Sequence, residues 1–157
     1  LLTVVSELAI PVVSVADVGQ YTCTAKAYGR WPAGGGAIVV PVDFSDEARA
    51  ALSTARRLAG PDPIRVVHIV DAEHERFDPD ADTQVRQRVI AFTGAAEDEV
   101  RVAHGRPDRA LVEYARDPEV ALVVVGTHAL HTALERMLGT MAVTLTRRSH
   151  APVLTVR

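Results

Sequence analysis

Apolar residues follow two alternating patterns from residue 37 to the end of the chain. Short segments rich in apolar residues predict strands at 37–44, 64–70, 99–104, 120–125 and 153–156. The nearly continuous apolar run 120–125 predicts a strand covered on both faces, as in parallel sheets. Apolar residues at helical spacing predict helices between these runs, at 46–59, 83–92, 108–116 and about 139–148. Strands that alternate with helices predict right-handed βαβ units, and therefore an α/β fold with a doubly wound parallel sheet.

Turn and capping residues divide the pattern into two parts. Pro and Gly in residues 31–36 (WPAGGG) predict a linker. The predicted domains are accordingly an N-terminal segment with this linker, residues 1–36, and a main domain, residues 37–157. Ser45 is placed to cap the first helix of the main domain. The acidic residues from 71 to 82 lack the spacing of a calcium loop and predict a solvated loop.

Composition excludes several classes of protein. The 157 residues are 48% hydrophobic and 24% charged, as expected for one globular domain. Acidic and basic residues are interspersed at a net charge of -3, so no nucleic-acid-binding stripe is predicted. Residues 1–15 are apolar but too short for a transmembrane helix, and no membrane association is predicted. The single cysteine, Cys23, cannot form an internal disulfide, which favours the cytoplasm.

The strongest chemical signal is a pair of glycines near the C-terminus. Gly126 ends the apolar run 120–125, and Gly139 with Thr140 opens the next predicted helix. Helix N-termini present unpaired N–H groups and a positive dipole end, so these residues suit an anion such as phosphate. Asp43 follows another strand, and the carboxyl ends of parallel strands are where open α/β sheets bind ligands. An alternative is that Asp43 is only a turn residue beside the helix cap.

Five motifs lie in or after the successive predicted strands: VPVDFSDEARAAL, VVHIVDA, HGRP, VVVGTHA and LGTMAVTLTRRSHAPVLTVR. With them, residues 37–157 resemble the universal stress protein family. The resemblance implies a five-stranded Rossmann-like sheet of order 3-2-1-4-5, often dimeric through the last strand. It also implies that some members bind ATP through Gly, two residues, Gly, nine residues, Gly and then Ser or Thr, whereas others lack this pattern and do not bind it.

The resemblance assigns a set of residues to an adenine nucleotide. Ala129 stands where the family pattern has its second glycine, although the spacing is kept. A Cβ at this position would cost roughly 1 kcal/mol if φ is positive. If a phosphate passes close by, the methyl group takes up space that glycine leaves open, and binding roughly tenfold weaker is expected, although alanine is the mildest replacement. The residues that the resemblance places around the nucleotide are Pro41, Val42, Asp43, Ile69, Val125, Gly126, Ala129, Gly139, Thr140 and Met141.

The histidines have competing interpretations. His128 and His131 flank the candidate loop, where they could pair with phosphate or lie in solvent, and no metal site is predicted from them. His68 lies in a buried type of strand and is predicted to be a satisfied core or strand-end residue. His104 precedes a glycine and could face the cleft or serve the turn.

The N-terminal segment resembles the end of the same chain. Residues 11–15 (PVVSV) align with residues 152–156 (PVLTV), which suggests the last strand of a preceding repeat. The alternative is an unrelated apolar segment. In either case we expect residues 12–15 to pair with an edge strand, within the chain or across a dimer.

Two functions remain at this level. The first is a stress or signalling module that binds ATP or another adenine nucleotide, with Mg²⁺ held largely through phosphate, in a homodimer or tandem domain pair. The second is a nucleotide-free dimerisation or interaction module of the same fold. No nucleophile–base pair or Walker lysine is found, so at most slow ATP hydrolysis is expected.

Overall fold

Eight strands form one sheet in the computed structural model, which describes residues 2–5, 12–15, 21–24, 36–71, 79–126, 144–145 and 148–156. The strands are β1 (Leu2–Val5), β2 (Val12–Val15), β3 (Tyr21–Thr24), β4 (Ala37–Pro41), β5 (Ile64–Val70), β6 (Val100–His104), β7 (Val120–Gly126) and β8 (Val153–Val156). The helices are α1 (Asp46–Ala59), α2 (Pro79–Thr93) and α3 (Pro107–Tyr114), with a 3₁₀ turn at Glu97–Glu99.

Five of these strands are parallel and form the predicted doubly wound sheet. Their order is β6-β5-β4-β7-β8, and each neighbouring pair is parallel. Numbered along the main domain, this order is 3-2-1-4-5, which confirms the predicted fold. No described helix is long and apolar enough to span a membrane.

The two faces of the sheet carry separate hydrophobic clusters. The α1 face is packed by α1 and α2, and its buried residues include Val40, Val42, Leu52, Val66, Val89 and Val124. The α3 face is packed by α3, and its buried residues include Val39, Val67, Leu111, Val123, Val125 and Leu145. Successive strand residues point to opposite faces, so parity along a strand decides which cluster a side chain joins.

Helix α1 has the predicted bounds because its caps are encoded locally. Ser45 Oγ accepts a hydrogen bond from the Ala48 backbone N–H at 3.1 Å, and Gly60 ends the helix at φ 53°. The predicted start of α2 was wrong, since the helix begins at Pro79 rather than at residue 83. Proline suits the first helical position, and acidic residues in the first turn stabilise the N-terminus, so part of the expected acidic loop is helical.

Strand β4 ends earlier than predicted. The apolar run continues to Phe44, but the strand stops at Pro41. The Val42 N–H still donates to the Val67 carbonyl at 2.8 Å, after which Phe44 adopts φ 66° and turns the chain away from the sheet. Few residues other than glycine adopt a positive φ, so the residue types did not predict this turn.

The N-terminal strands extend the sheet beyond β8. Strands β1, β2 and β3 form an antiparallel meander, and β3 pairs antiparallel with β8, with Thr22 opposite Thr155. The N-terminal segment therefore pairs with β8, the edge strand of the parallel sheet, within the same chain. It does so through β3, whereas β2 pairs with β1 and β3 rather than with the edge of the parallel sheet.

Gly36 lies against the sheet, at the end of the predicted linker. A Cβ on Gly36 would lie 2.7 Å from the Ala121 Cβ and 2.9 Å from the Glu119 carbonyl oxygen. The next residue, Ala37, donates its N–H to the same Glu119 oxygen at 2.6 Å. Gly36 is thus required by the close approach of two strands, and it forms the entry to β4.

Candidate functional site

The candidate site lies where the chain leaves two adjacent parallel strands in opposite directions. Strands β4 and β7 pair with Val39 opposite Val123, so their carboxyl ends lie side by side. After β4 the chain enters α1 on one face, while Leu145, in the connection that follows β7, is buried on the other. Such a switch point opens a crevice at the carboxyl ends of the strands, where open α/β sheets bind ligands.

Three of the assigned residues lie together on the α3 face at this end of the sheet. Val125 is 3% exposed in the α3-face cluster, and Ile69 packs against that cluster. Pro41 is half-buried and has the parity of Val39, which lies in the same cluster. The structure therefore brings Pro41, Ile69 and Val125 onto one apolar surface.

Val42 lies at the same level of the sheet but on the other face. Its side chain is 4% exposed and belongs to the α1-face cluster. Its carbonyl accepts a hydrogen bond of 2.7 Å from His68 Nδ1. The Val42 side chain therefore does not contribute to the apolar surface of the α3 face, and only its backbone borders the crevice.

The exposed carboxylate of Asp43 organises the turn after β4. Asp43 Oδ1 accepts hydrogen bonds from the Ser45 backbone N–H, at 3.1 Å, and from Ser45 Oγ. Ser45 in turn caps α1. The turn role considered for Asp43 is thus present in the structure, and Asp43 is exposed two residues after the end of β4.

Sequence reasoning missed the aromatic cluster that supports this turn. The Phe44 ring lies 4.8 Å from the His68 ring and 5.5 Å from the Phe92 ring, with the latter pair edge to face. The Arg88 guanidinium lies 4.2 Å from the centre of the Phe44 ring. These contacts hold in place a residue whose backbone is strained, and strained residues are often found at functional sites. The hydrogen bond from His68 Nδ1 to the Val42 carbonyl confirms the predicted satisfied role of His68.

Gly126 is required by the packing of α1. A Cβ on Gly126 would lie 2.5 Å from the carbonyl carbon and oxygen of Glu47, in the first turn of α1. The φ of Gly126 is not positive. The glycine therefore serves a close approach between strand and helix, which accounts for it whether or not a phosphate binds nearby.

The remaining assigned residues lie outside the described part of the chain. These are Ala129, Gly139, Thr140 and Met141. The flanking His128 and His131 lie outside it as well. The predicted phosphate-binding half of the site is thus not placed by the structure, and the effect of the Ala129 methyl stays a prediction.

Two pairs of polar side chains lie near the carboxyl end of β6. His104 Nε2 lies 2.9 Å from a carboxylate oxygen of Asp82, so the ring contacts α2. Arg106 donates to both carboxylate oxygens of Asp108 at 3.2 Å. Burial opposes ionisation of Asp108, but the hydrogen bond and charge of Arg106 outweigh it, and the pKa of Asp108 is lowered. The described residues contain no group of three or more His, Cys, Asp or Glu that could hold a metal ion.

Comparisons with known proteins all identify the same family. The sequence model of the universal stress protein family matches residues 36–157. A universal stress protein in the QAH/OAS sulfhydrylase 3′ region of Thermus aquaticus is 29% identical over 133 residues, which cover 76% of this chain and 97% of that protein.

Solved structures show the same likeness. A universal stress protein in complex with cAMP is 26% identical with a TM-score of 0.62, over 80% of this chain and 99% of that one. A protein of the universal stress protein family from Burkholderia pseudomallei is 26% identical with a TM-score of 0.56, over 77% of this chain and 95% of that one.

Proposed function

Because the chain belongs to the universal stress protein family, we propose that it binds ATP or another adenine nucleotide at the carboxyl ends of β4 and β7. In this proposal it is a nucleotide-dependent stress or signalling module of the cytoplasm. The observation that carries the proposal is the apolar surface of Pro41, Ile69 and Val125 beside the exposed carboxylate of Asp43. A relative of the same fold was solved in complex with cAMP, which supports an adenine nucleotide as the ligand class.

The described residues fit the adenosine part of such a ligand. An adenine ring would bury its face on the apolar surface, as ligand pockets are lined mainly by hydrophobic side chains with a few placed polar groups. Asp43 could accept hydrogen bonds from ribose hydroxyls, because it stands at the carboxyl end of a central strand. Since the described residues offer no metal cluster, Mg²⁺ would be held largely through the phosphates.

A nucleotide-free interaction module is the second candidate, and two observations favour it. Gly126 is explained by the approach of Glu47, and Asp43 is explained by its bonds to Ser45. Both candidate functions are compatible with pairing of β8 with a second copy of the chain or with a tandem domain. The outer edge of β8 is paired with β3, so a partner strand would have to replace β3 or add at β1.

Isothermal titration calorimetry with ATP, cAMP and GTP at fixed Mg²⁺ tests the proposal. Saturable heat with the adenine nucleotides, but not with GTP, is the expected result. At ten times the dissociation constant the ligand should stabilise the fold by about 1.4 kcal/mol, which a thermal shift detects. No heat and no thermal shift at millimolar ATP and cAMP would contradict the proposal. The nucleotide-free interaction module would then be the remaining candidate function.

Two variants locate the nucleotide. Asp43→Asn keeps an acceptor for Ser45 but removes the charge, and we expect binding about tenfold weaker with the fold intact. Asp46→Asn, an exposed carboxylate in the first turn of α1, is the matched control and should bind as the parent chain does. Ala129→Gly should strengthen binding, because it removes the methyl group from the predicted phosphate loop.

A further inference from the structure

A cleft on the α1 face is separate from the crevice described above. Its volume is about 350 Å³, and one wall comes from α1 and the other from the end of α2. The α1 residues recur at intervals of three and four, so they form one stripe along the helix. The lining residues are Arg49, Leu52, Ser53, Arg56, Arg57, Phe92 and Thr93.

The cleft concentrates positive charge without a carboxylate to balance it. Its lining contains three arginines and no acidic residue, in a chain whose net charge is -3. None of the three forms an ion pair with a described residue, whereas Arg65, Arg106 and Arg116 all pair with carboxylates. A cleft lined by charges of one sign attracts counter-ions, so an anion is the natural occupant.

Two of the guanidinium groups are held in place by the C-terminal end of α2. Arg49 donates to the Phe92 carbonyl at 3.1 Å and lies 4.1 Å from the centre of its ring. Arg56 donates to the Thr93 carbonyl at 2.9 Å. The last turn of α2 has no basic residue of its own, so these arginines also stabilise its negative dipole end.

This capping role leaves most of the hydrogen-bonding capacity of the cleft for a ligand. A guanidinium has about five N–H donors, and each of these two arginines gives one to an α2 carbonyl. The forks are therefore oriented before a ligand arrives, which reduces the entropy lost on binding. Arg57 and Ser53 are exposed on the same stripe and add a charge and a hydroxyl.

We propose that this cleft binds a phosphate group, with Arg49, Arg56 and Arg57 as donors and the Ser53 hydroxyl as a further partner. Three cations suit a doubly charged phosphate better than a single carboxylate, and guanidinium forks match phosphate oxygens in pairs. The cleft lies on the opposite face of the sheet from Ile69, so it is independent of the proposed adenine nucleotide site. The ligand that supplies this phosphate group is either free inorganic phosphate or a phosphate ester.

NMR titration of the full chain with inorganic phosphate tests this site. The probes are the Nε–H signals of the arginines and the amide signals of α1, with sodium chloride at matched ionic strength as the reference. Saturable shifts at Ser53 and Arg56 are the expected result. Phosphoserine as a second ligand separates the two sources, since tighter binding of the ester assigns the site to phosphorylated ligands. Shifts that do not saturate, or that chloride reproduces, would overturn the proposal.

Arg57→Gln is the decisive variant, because Arg49 and Arg56 also hold α2 in place. We expect phosphate binding about tenfold weaker in this variant, with unfolding unchanged. Arg109→Gln removes an exposed arginine of α3 on the other face and is the matched control. Equal phosphate affinity in the two variants would refute the assignment.

Discussion

Replacement of Gly126 by alanine separates the packing role of this glycine from a role in binding phosphate. The new Cβ would lie 2.5 Å from the carbonyl carbon and oxygen of Glu47 and 2.8 Å from its Cβ. Two of these atoms belong to the backbone of α1, so relief requires β7 and α1 to move apart. The helix also packs on β4 and β7 through the α1-face cluster, and this resists the movement.

Overpacking of this kind costs about 1–3 kcal/mol. For a chain of this size, 2 kcal/mol lowers the melting temperature by about 4–8 °C. With an m-value of about 2 kcal/mol/M, the same loss lowers the urea midpoint by about 1 M. Urea unfolding followed by circular dichroism at 222 nm, in the absence of any nucleotide, measures the effect directly.

Gly94→Ala is the matched control. Gly94 has φ 64°, and a Cβ there meets nothing within 4 Å, so its cost is backbone strain alone, about 1 kcal/mol. Gly126→Ala should therefore be the more destabilising of the two. If the nucleotide-free stability of Gly126→Ala lies within about 0.5 kcal/mol of that of the parent chain, the packing argument is wrong.

Three further predictions concern other parts of the structure. His68→Leu removes the donor to a carbonyl and should cost about 1–3 kcal/mol in urea unfolding, whereas His68→Asn restores a donor and should cost less; equal losses would contradict this account. Thr22→Cys with Thr155→Cys, in a background without the native cysteine, should oxidise to an intramolecular disulfide detected by mass spectrometry, because the two positions are opposed in the β3–β8 register. Only disulfide-linked dimers, or free thiols, would argue against that pairing. The lowered pKa of Asp108 implies stability that is present above its ordinary value of 3.8 and lost as pH falls through the folded value. Arg106→Gln should therefore cost at most about 1 kcal/mol near neutral pH and nothing in strong acid; a difference that persists in acid would refute the ion-pair explanation.

Most of the fold could be predicted from the sequence, because local residues such as caps and turn glycines determine where several of the main helices and strands begin and end. Helix α1 has a serine cap, an apolar face at helical spacing and a terminal glycine, and its observed bounds are those predicted. Strands β5 and β8 likewise match their apolar runs. The sheet order follows from the alternation of strands and helices together with the family resemblance.

The features that could not be predicted depend on contacts between distant residues. Nothing local marks Phe44 for a positive φ, since its strain is offset by a ring from β5 and by a ring and one cation from α2. The requirement for Gly126 likewise comes from α1, and a sequence pattern cannot distinguish such a packing glycine from one that binds phosphate. The arginine cleft is likewise not encoded by a local pattern, because Arg49 and Phe92 meet only after α1 and α2 pack together.

Methyl NMR during an ATP titration tests the central claim most directly. Ile69 and Val125 lie on the proposed adenine-binding surface, whereas Val40 and Val66 lie in the cluster on the opposite face of the same sheet. Binding at the crevice predicts saturable shifts of the Ile69 and Val125 methyl signals, with the Val40 and Val66 signals nearly unchanged. If none of these signals moves at millimolar ATP, or if only those of the α1 face move, the adenine nucleotide site is not at the carboxyl ends of β4 and β7.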